Sequence, residues 1–268
     1  MKVKKVSVIG LIVVLAFALM VGCGEQQTPQ PGDNGDATVI PVELLVGAAM
    51  SLREVTVDLA EAYRVIHPHV TLTFTYASSG ALQGQIEAGA PMDIFMSAAA
   101  SHMQSLENQG LIYGTSRNVA TNAVALVVPI DSVLGIESFT DVALDRVGIV
   151  GVADPAAVPI GRFAREVFSA LDIVDQVYEK AVLANDARQV LTWVEAGEVD
   201  VGVVFLSDAL SSDSVRIIET ADSALHSPAV NPVGIVESSA HKANAQSFID
   251  FLFSPTARAI FERHGFSI

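Results

Sequence analysis

The chain has 268 residues, 51% of them hydrophobic and only 17% charged, which excludes a disordered polypeptide and leaves room for two cores. Thirty acidic residues against 15 basic ones give a net charge of −15 at pH 7, which excludes nucleic acid as a partner, because a phosphate backbone would be repelled. Any anion bound by this chain must be held by local donors, since no basic surface draws it in.

Residues 1–22 read as a secretory leader: a basic start from Met1 to Lys5, then an uncharged apolar run from Val6 to Val21. Gly22-Cys23-Gly24 resembles a bacterial lipobox, in which Cys23 becomes the lipidated first residue of the mature protein. Removing the leader also removes Lys2, Lys4 and Lys5 and deepens the charge to −18. With one cysteine no intramolecular disulfide is possible, so packing alone must hold the core. Residues 23–38, rich in Gln, Pro, Gly and Asp, have the composition of a flexible tether. The expected location is outside the cytoplasm, anchored to the membrane by lipid at Cys23.

From Val42 onward, strand-like and helix-like segments alternate. Val42–Val46 reads as a buried strand, and the apolar spacing Leu52, Val55, Leu59, Ala62, Ile66 reads as a helix from Ser51 to Ile66. Val70–Tyr76 is a second strand, Ala77-Ser78-Ser79-Gly80 opens a helix running to Gly89, Asp93–Ser97 is a third strand, and a helix from Ala100 to Gln109 ends at Gly110. A second set follows: strands at Ala123–Pro129, Arg146–Val152, Val182-Leu183 and Val199–Phe205, with helices at Pro159–Leu171 and Asp186–Ala196. Val215–Ile218 and Val233–Val236 read as further strands, and Lys242–Phe253 and Thr256–His264 as closing helices. The pattern implies an α/β fold of two lobes, each a mainly parallel sheet flanked by helices.

No Walker loop, dinucleotide fingerprint, His-Glu-x-x-His, Cys-x-x-Cys or Gly-x-Ser-x-Gly occurs. The six histidines are scattered, and only His67 and His69 are close, flanking Pro68 in what reads as a turn. No protein-ligated metal and no cofactor are expected.

What stands out is a set of helix starts with donors to spare. Ser51, with Glu54 three residues on, can cap its own helix or bind an anion at the dipole end. Ser79 stands beside Gly80, where a backbone can approach a ligand closely. In Val158-Pro159-Ile160-Gly161 the proline suits the first helical position while Val158 has no capping side chain, leaving the amides of Ile160 and Gly161 for water or a ligand. In Asn185-Asp186-Ala187, Asn185 reads as the cap and the Ala187 amide lies in the first turn. Ligands of open parallel sheets lie beyond the carboxyl ends of strands, which is where these starts fall.

At these residues the chain resembles the periplasmic molybdate-binding proteins of ABC importers (ModA-like, type II substrate-binding proteins). The matching pieces are Ala48-Ala49-Met50-Ser51-Leu52, Ala77-Ser78-Ser79, the block from Gln85 to Ala98, Ala153-Asp154-Pro155, Val158-Pro159-Ile160-Gly161, the run from Gly202 to Ala209, and the tail from Ile260 to Phe266. They span nearly all of the mature chain in family order. The resemblance implies a hinge-closing fold with an oxyanion held in the cleft between lobes by hydroxyls and backbone amides. It implies lobe 1 at 39–121 plus 232–268 and lobe 2 at 122–231. By position, Ser51 and Ser79 would donate from lobe 1 and the amides of Ile160 and Ala187 from lobe 2. Phe205 stands where the family commonly has a tyrosine whose hydroxyl reaches the anion, so one donor is missing.

The function implied is capture of molybdate, and of tungstate with it, by a monomeric lipoprotein for a membrane permease. Sulfate or another tetrahedral oxyanion is the alternative ligand. The rival from a different class is a secreted serine hydrolase using Ser51 or Ser79, which lacks a histidine nearby in sequence; a purely adhesive lipoprotein is a third.

Overall fold

The computed structural model describes residues 41–268. The expected leader, the lipidation site Cys23 and the tether lie outside the described residues. Val42–Ala49 forms the first strand, β1, and leads through a 3-10 turn at Met50–Leu52 into helix α1, Arg53–Ile66. Val55, Leu59 and Tyr63 on α1 are buried at the spacing that lays one helical face on a sheet. β2 (Val70–Ala77), α2 (Ser79–Glu87), β3 (Ile94–Met96), α3 (Ala100–Asn108) and β4 (Ile112–Thr121) complete the first run.

The chain then passes to a second sheet. Its elements are β5 (Val124–Pro129), β6 (Val150–Ala153), α4 (Pro159–Ala170), α5 (Val174–Tyr178), β7 (Ala181–Ala184), α6 (Ala187–Glu195), β8 (Val201–Phe205), α7 (Leu206–Leu210) and β9 (Val215–Thr220). It returns through β10 (Val230–Val236) and ends in α8 (Lys242–Leu252) and α9 (Pro255–Arg263).

Each sheet has five strands, in the orders β2-β1-β3-β10-β4 and β7-β6-β8-β5-β9. The β1–β2, β1–β3, β6–β7 and β6–β8 pairs are parallel, while β10 runs against both β3 and β4 and β5 runs against both β8 and β9. One reversed strand per sheet is the second of the two strands that carry the chain across, since β5 arrives from β4 and β10 arrives from β9. This is the two-lobed α/β fold expected from the alternation of elements, with β10 beginning at Val230.

Several expected boundaries shift for local reasons. The strand expected from Arg146 starts at Val150, because the amides of Gly148 and Ile149 donate to the Asp200 carboxylate at 2.7 and 2.9 Å and so form a turn. β4, ten residues long, had no counterpart in the sequence reading. The crossings are stitched together: Asn122 N–H donates to Ala229 O at 2.8 Å, and Thr121 and Ser267 exchange backbone hydrogen bonds of 2.7 and 2.9 Å.

Candidate functional site

The carboxyl ends of β1 and β8 and the starts of α2, α4 and α6 surround a small, tightly closed-down cavity of about 10 Å³ between the two sheets. Its walls include Ser51 and Ser79 from the first lobe and Ala187 and Phe205 from the second. Ile160 is buried in the first turn of α4 but does not itself line the cavity, where Val158 and Pro159 present that turn instead. No charged side chain lines it, so whatever it holds is met by dipoles and hydroxyls.

Ser51 lies in the 3-10 turn, ahead of α1. Its hydroxyl makes no capping bond, the capping box with Glu54 does not form, and its Oγ is buried with no hydrogen-bond partner. The capping alternative is thereby overturned. A buried hydroxyl without a partner costs free energy unless something occupies it, which is the mark of a group kept for a ligand.

At the second start Ser79, expected to open the helix, is its first residue, and the cap is its neighbour. Ser78 caps, its Oγ accepting from Ala81 N–H at 3.2 Å. Ser79 is therefore released: its Oγ accepts from Ala98 N–H at 3.0 Å, which leaves the hydroxyl proton to be donated. Ala98 is held for that task by Ser97, whose N–H donates to Pro232 O and whose O accepts from the Asn231 side chain.

In the second lobe Val158 precedes α4 with no side-chain cap, and Pro159 occupies its first turn. Gly161 N–H and Arg162 N–H both turn back to Val158 O, so the Gly161 amide expected to be free is taken. The Ile160 N–H, second in the helix, has no intrahelical acceptor. Gly161 is what lets this start sit against β6: a Cβ there would stand 2.1 Å from Ala153 O. At α6 the cap is Asp186 and not Asn185; its carboxylate accepts from Gln189 N–H at 2.9 Å. That bond turns the Asp186 carboxylate back onto its own helix and leaves the first amide, Ala187, unspent.

Phe205 ends β8, fully buried, with its ring packed edge-on to Phe163 at 6.1 Å between centroids. Three residues on, Asp208 is buried in α7 with one carboxylate oxygen unpartnered. Burial pushes its pKa up to about 7; Arg188 pulls it down, while Asp186 and Glu54 add to the rise. Sequence reasoning gave no role to Asp208, Ser78 or Ala98, because nothing in a local pattern marks a residue buried by a distant segment.

No imidazole reaches either serine among the described residues: Ser51 Oγ has no partner, and the recorded histidine bonds go to Gln83, Ser227 and Asp58. The hydrolase alternative lacks its base. Among the described residues there is also no group of three or more His, Cys, Asp or Glu placed to hold a metal ion.

The sequence profile of the bacterial extracellular solute-binding proteins matches residues 44–267. YvgL of Bacillus subtilis, assigned as an ABC transporter substrate-binding lipoprotein, is 35% identical over 265 residues, covering 98% of each chain. The molybdate-binding protein ModA of Escherichia coli is 34% identical over 239 residues, covering 87% of this chain and 92% of ModA. The solved structure of the periplasmic molybdate-binding protein of Azotobacter vinelandii superposes with a TM-score of 0.77 at 25% identity, over 84% of this chain and 99% of that one. These relatives are substrate-binding proteins and not enzymes, and such proteins work outside the cytoplasm and deliver their ligand to a membrane permease. The chain belongs to the bacterial extracellular solute-binding proteins and serves an ABC importer.

Proposed function

We propose that this protein captures molybdate, and tungstate with it, between its two lobes and presents the ion to its permease. The observation that carries the reading is the buried, unpartnered Ser51 hydroxyl facing the same cavity as Ser79, the uncapped start of α4 and the first residue of α6. Two hydroxyls and the first-turn amide at Ala187 supply donors from both lobes, the Ile160 amide lying behind Val158 and Pro159 at the same wall, and a doubly charged oxyanion needs donors alone. No resident cofactor takes part.

The lining offers no carboxylate to take the proton of hydrogen phosphate, and a serine hydroxyl that accepts it is lost as a donor to the other oxygens, so that ion is disfavoured. Sulfate carries none, and it is the second reading, favoured by one feature. Phe205 gives no hydroxyl to the anion, so the larger ion loses a contact that the related proteins' tyrosine would make. Cys23 is the proposed lipid attachment that holds the monomeric receptor at the membrane.

Isothermal calorimetry of the leader-free protein against molybdate, tungstate, sulfate and phosphate tests the assignment. Tight binding of the first two with weaker sulfate and no phosphate is expected; heat with sulfate alone moves the assignment to sulfate, and heat with none refutes the oxyanion reading. Replacing Cys23 by Ser should move the protein from the membrane fraction to the medium or the periplasm.

A further inference from the structure

We propose that Arg162 and Ser101, seated by the glycine at position 80, form a latch across the cleft that sets how slowly a captured ion escapes. This rests on the receptor reading above and concerns residues outside the cavity lining. Arg162 lies on α4 of the second lobe, and its Nη1 donates to Ser101 Oγ on α3 of the first at 2.7 Å. A second bond joins the lobes beside it, from Gly80 N–H at the start of α2 to Ala157 O at 3.3 Å. The two bonds tie the segments that precede and follow the α4 start to the two helices flanking Ser79 and Ala98.

The fit is specific to this pair of surfaces. A Cβ on Gly80 would stand 2.6 Å from Ala157 O and 3.3 Å from its carbonyl carbon, so any larger residue holds the lobes apart at this rim. The guanidinium is also held by its own lobe: its Nε lies 3.6 Å from Glu166 Oε1, and its carbon sits 4.9 Å from the centre of the Phe163 ring. Phe163 in turn packs on Phe205 at the cavity wall, so the latch and the wall share one aromatic support. Because Arg162 and Ser101 belong to different lobes, their bond exists only while the cleft is shut. Breaking it leaves encounter with the ion unchanged and speeds opening, so its effect falls on dissociation.

The test is a chase experiment: protein loaded with radiolabelled molybdate, or labelled sulfate if calorimetry assigns sulfate, is mixed with excess unlabelled ion and sampled by filtration. Ser101→Ala and Arg162→Ala should each release the ion about five- to tenfold faster than wild type, as expected for one partly exposed charged hydrogen bond. Association should stay within about twofold, the double variant should be no faster than the worse single one, and Ser101→Thr should restore slow release. Gly80→Ala should release faster still. The unfolding temperature of the ligand-free protein should not move with Ser101→Ala. Wild-type retention with unchanged release from both alanine variants overturns the latch and leaves the receptor reading intact. An equal fall in unfolding temperature with and without ligand marks a merely structural contact and also overturns it. A wild-type protein that retains neither ion refutes the receptor reading itself.

Discussion

Asp208→Asn should stabilise this protein above neutral pH and do little in acid. The side chain is buried in α7 with one oxygen unpartnered, faced by Arg188 and Asp186 on α6 and by Glu54 on α1. Arg188 is already engaged, 3.5 Å from Glu195 and hydrogen-bonded to Ser211, so it compensates the buried charge only in part. Burial raises the carboxyl pKa from 3.8 to about 7. The folded protein therefore binds a proton that the unfolded chain has lost, and stability falls as pH rises across that interval. At about 1.4 kcal/mol per pH unit the full penalty is about 4 kcal/mol, reached above pH 7. Asparagine has the shape of the protonated acid and no charge to desolvate. Its advantage should be near zero at pH 4 and grow to at most about 4 kcal/mol at pH 8, or roughly 8–16 °C in a chain of this size. Calorimetric unfolding of both proteins at half-unit pH steps measures this directly. A difference that does not change with pH, or a variant less stable than wild type at pH 8, refutes the reasoning.

Ser51→Ala should weaken oxyanion binding by about ten- to a hundredfold, the value of one hydrogen bond to a charged group, while leaving ligand-free stability unchanged, because the hydroxyl has no protein partner to lose; calorimetry and thermal unfolding together check both halves. Phe205→Tyr should tighten molybdate binding by a similar factor if the added hydroxyl meets the ion, and should lower the unfolding temperature of the ligand-free form, where that hydroxyl is buried without a partner. Unchanged affinity would mean that the wall has been rebuilt around the phenylalanine. Gly161→Ala should prevent α4 from docking on β6, since its Cβ would meet backbone at 2.1 Å, and should appear as loss of soluble folded protein by circular dichroism. Asp93→Ala should lower stability by about 2–4 kcal/mol in urea unfolding, because the carboxylate accepts from Leu45 N–H at 2.8 Å and from the Ser239 hydroxyl, tying β1 to the connection between β10 and α8.

What was legible in the sequence followed from burial on both faces. Val42 to Val46, Ala123 to Pro129 and Val199 to Phe205 are apolar but for Glu43 and Asp200 near their starts, and each appears as a strand, with only its ends moved. β4 was not legible: Tyr113, Gly114, Thr115, Arg117 and Asn118 are exposed at the sheet edge, where the backbone pairs with β10 but the side chains bury little and carry no alternation. The helix starts could be found, but not the side chain that caps each one. Ser78 against Ser79 and Asp186 against Asn185 are one-residue choices: a distant segment decides the first, where Ala98 claims Ser79, and the helix's own first turn decides the second, where Gln189 turns back to bond both Asp186 and Asn185. Ser51 was read as either a cap or an anion donor, and only the folded chain, where a 3-10 turn delivers α1 without its help, removes the first option.

The bridge between Thr121 and Ser267 places the end of the chain on the connection that any lobe movement must bend. A fluorescent protein or affinity handle fused after Ile268 would thus load the pivot itself, and titrations made with such fusions would report the handle's drag along with the ion. Attachment at an exposed position that makes no bond to the crossings, such as Val133, keeps the instrument off that connection.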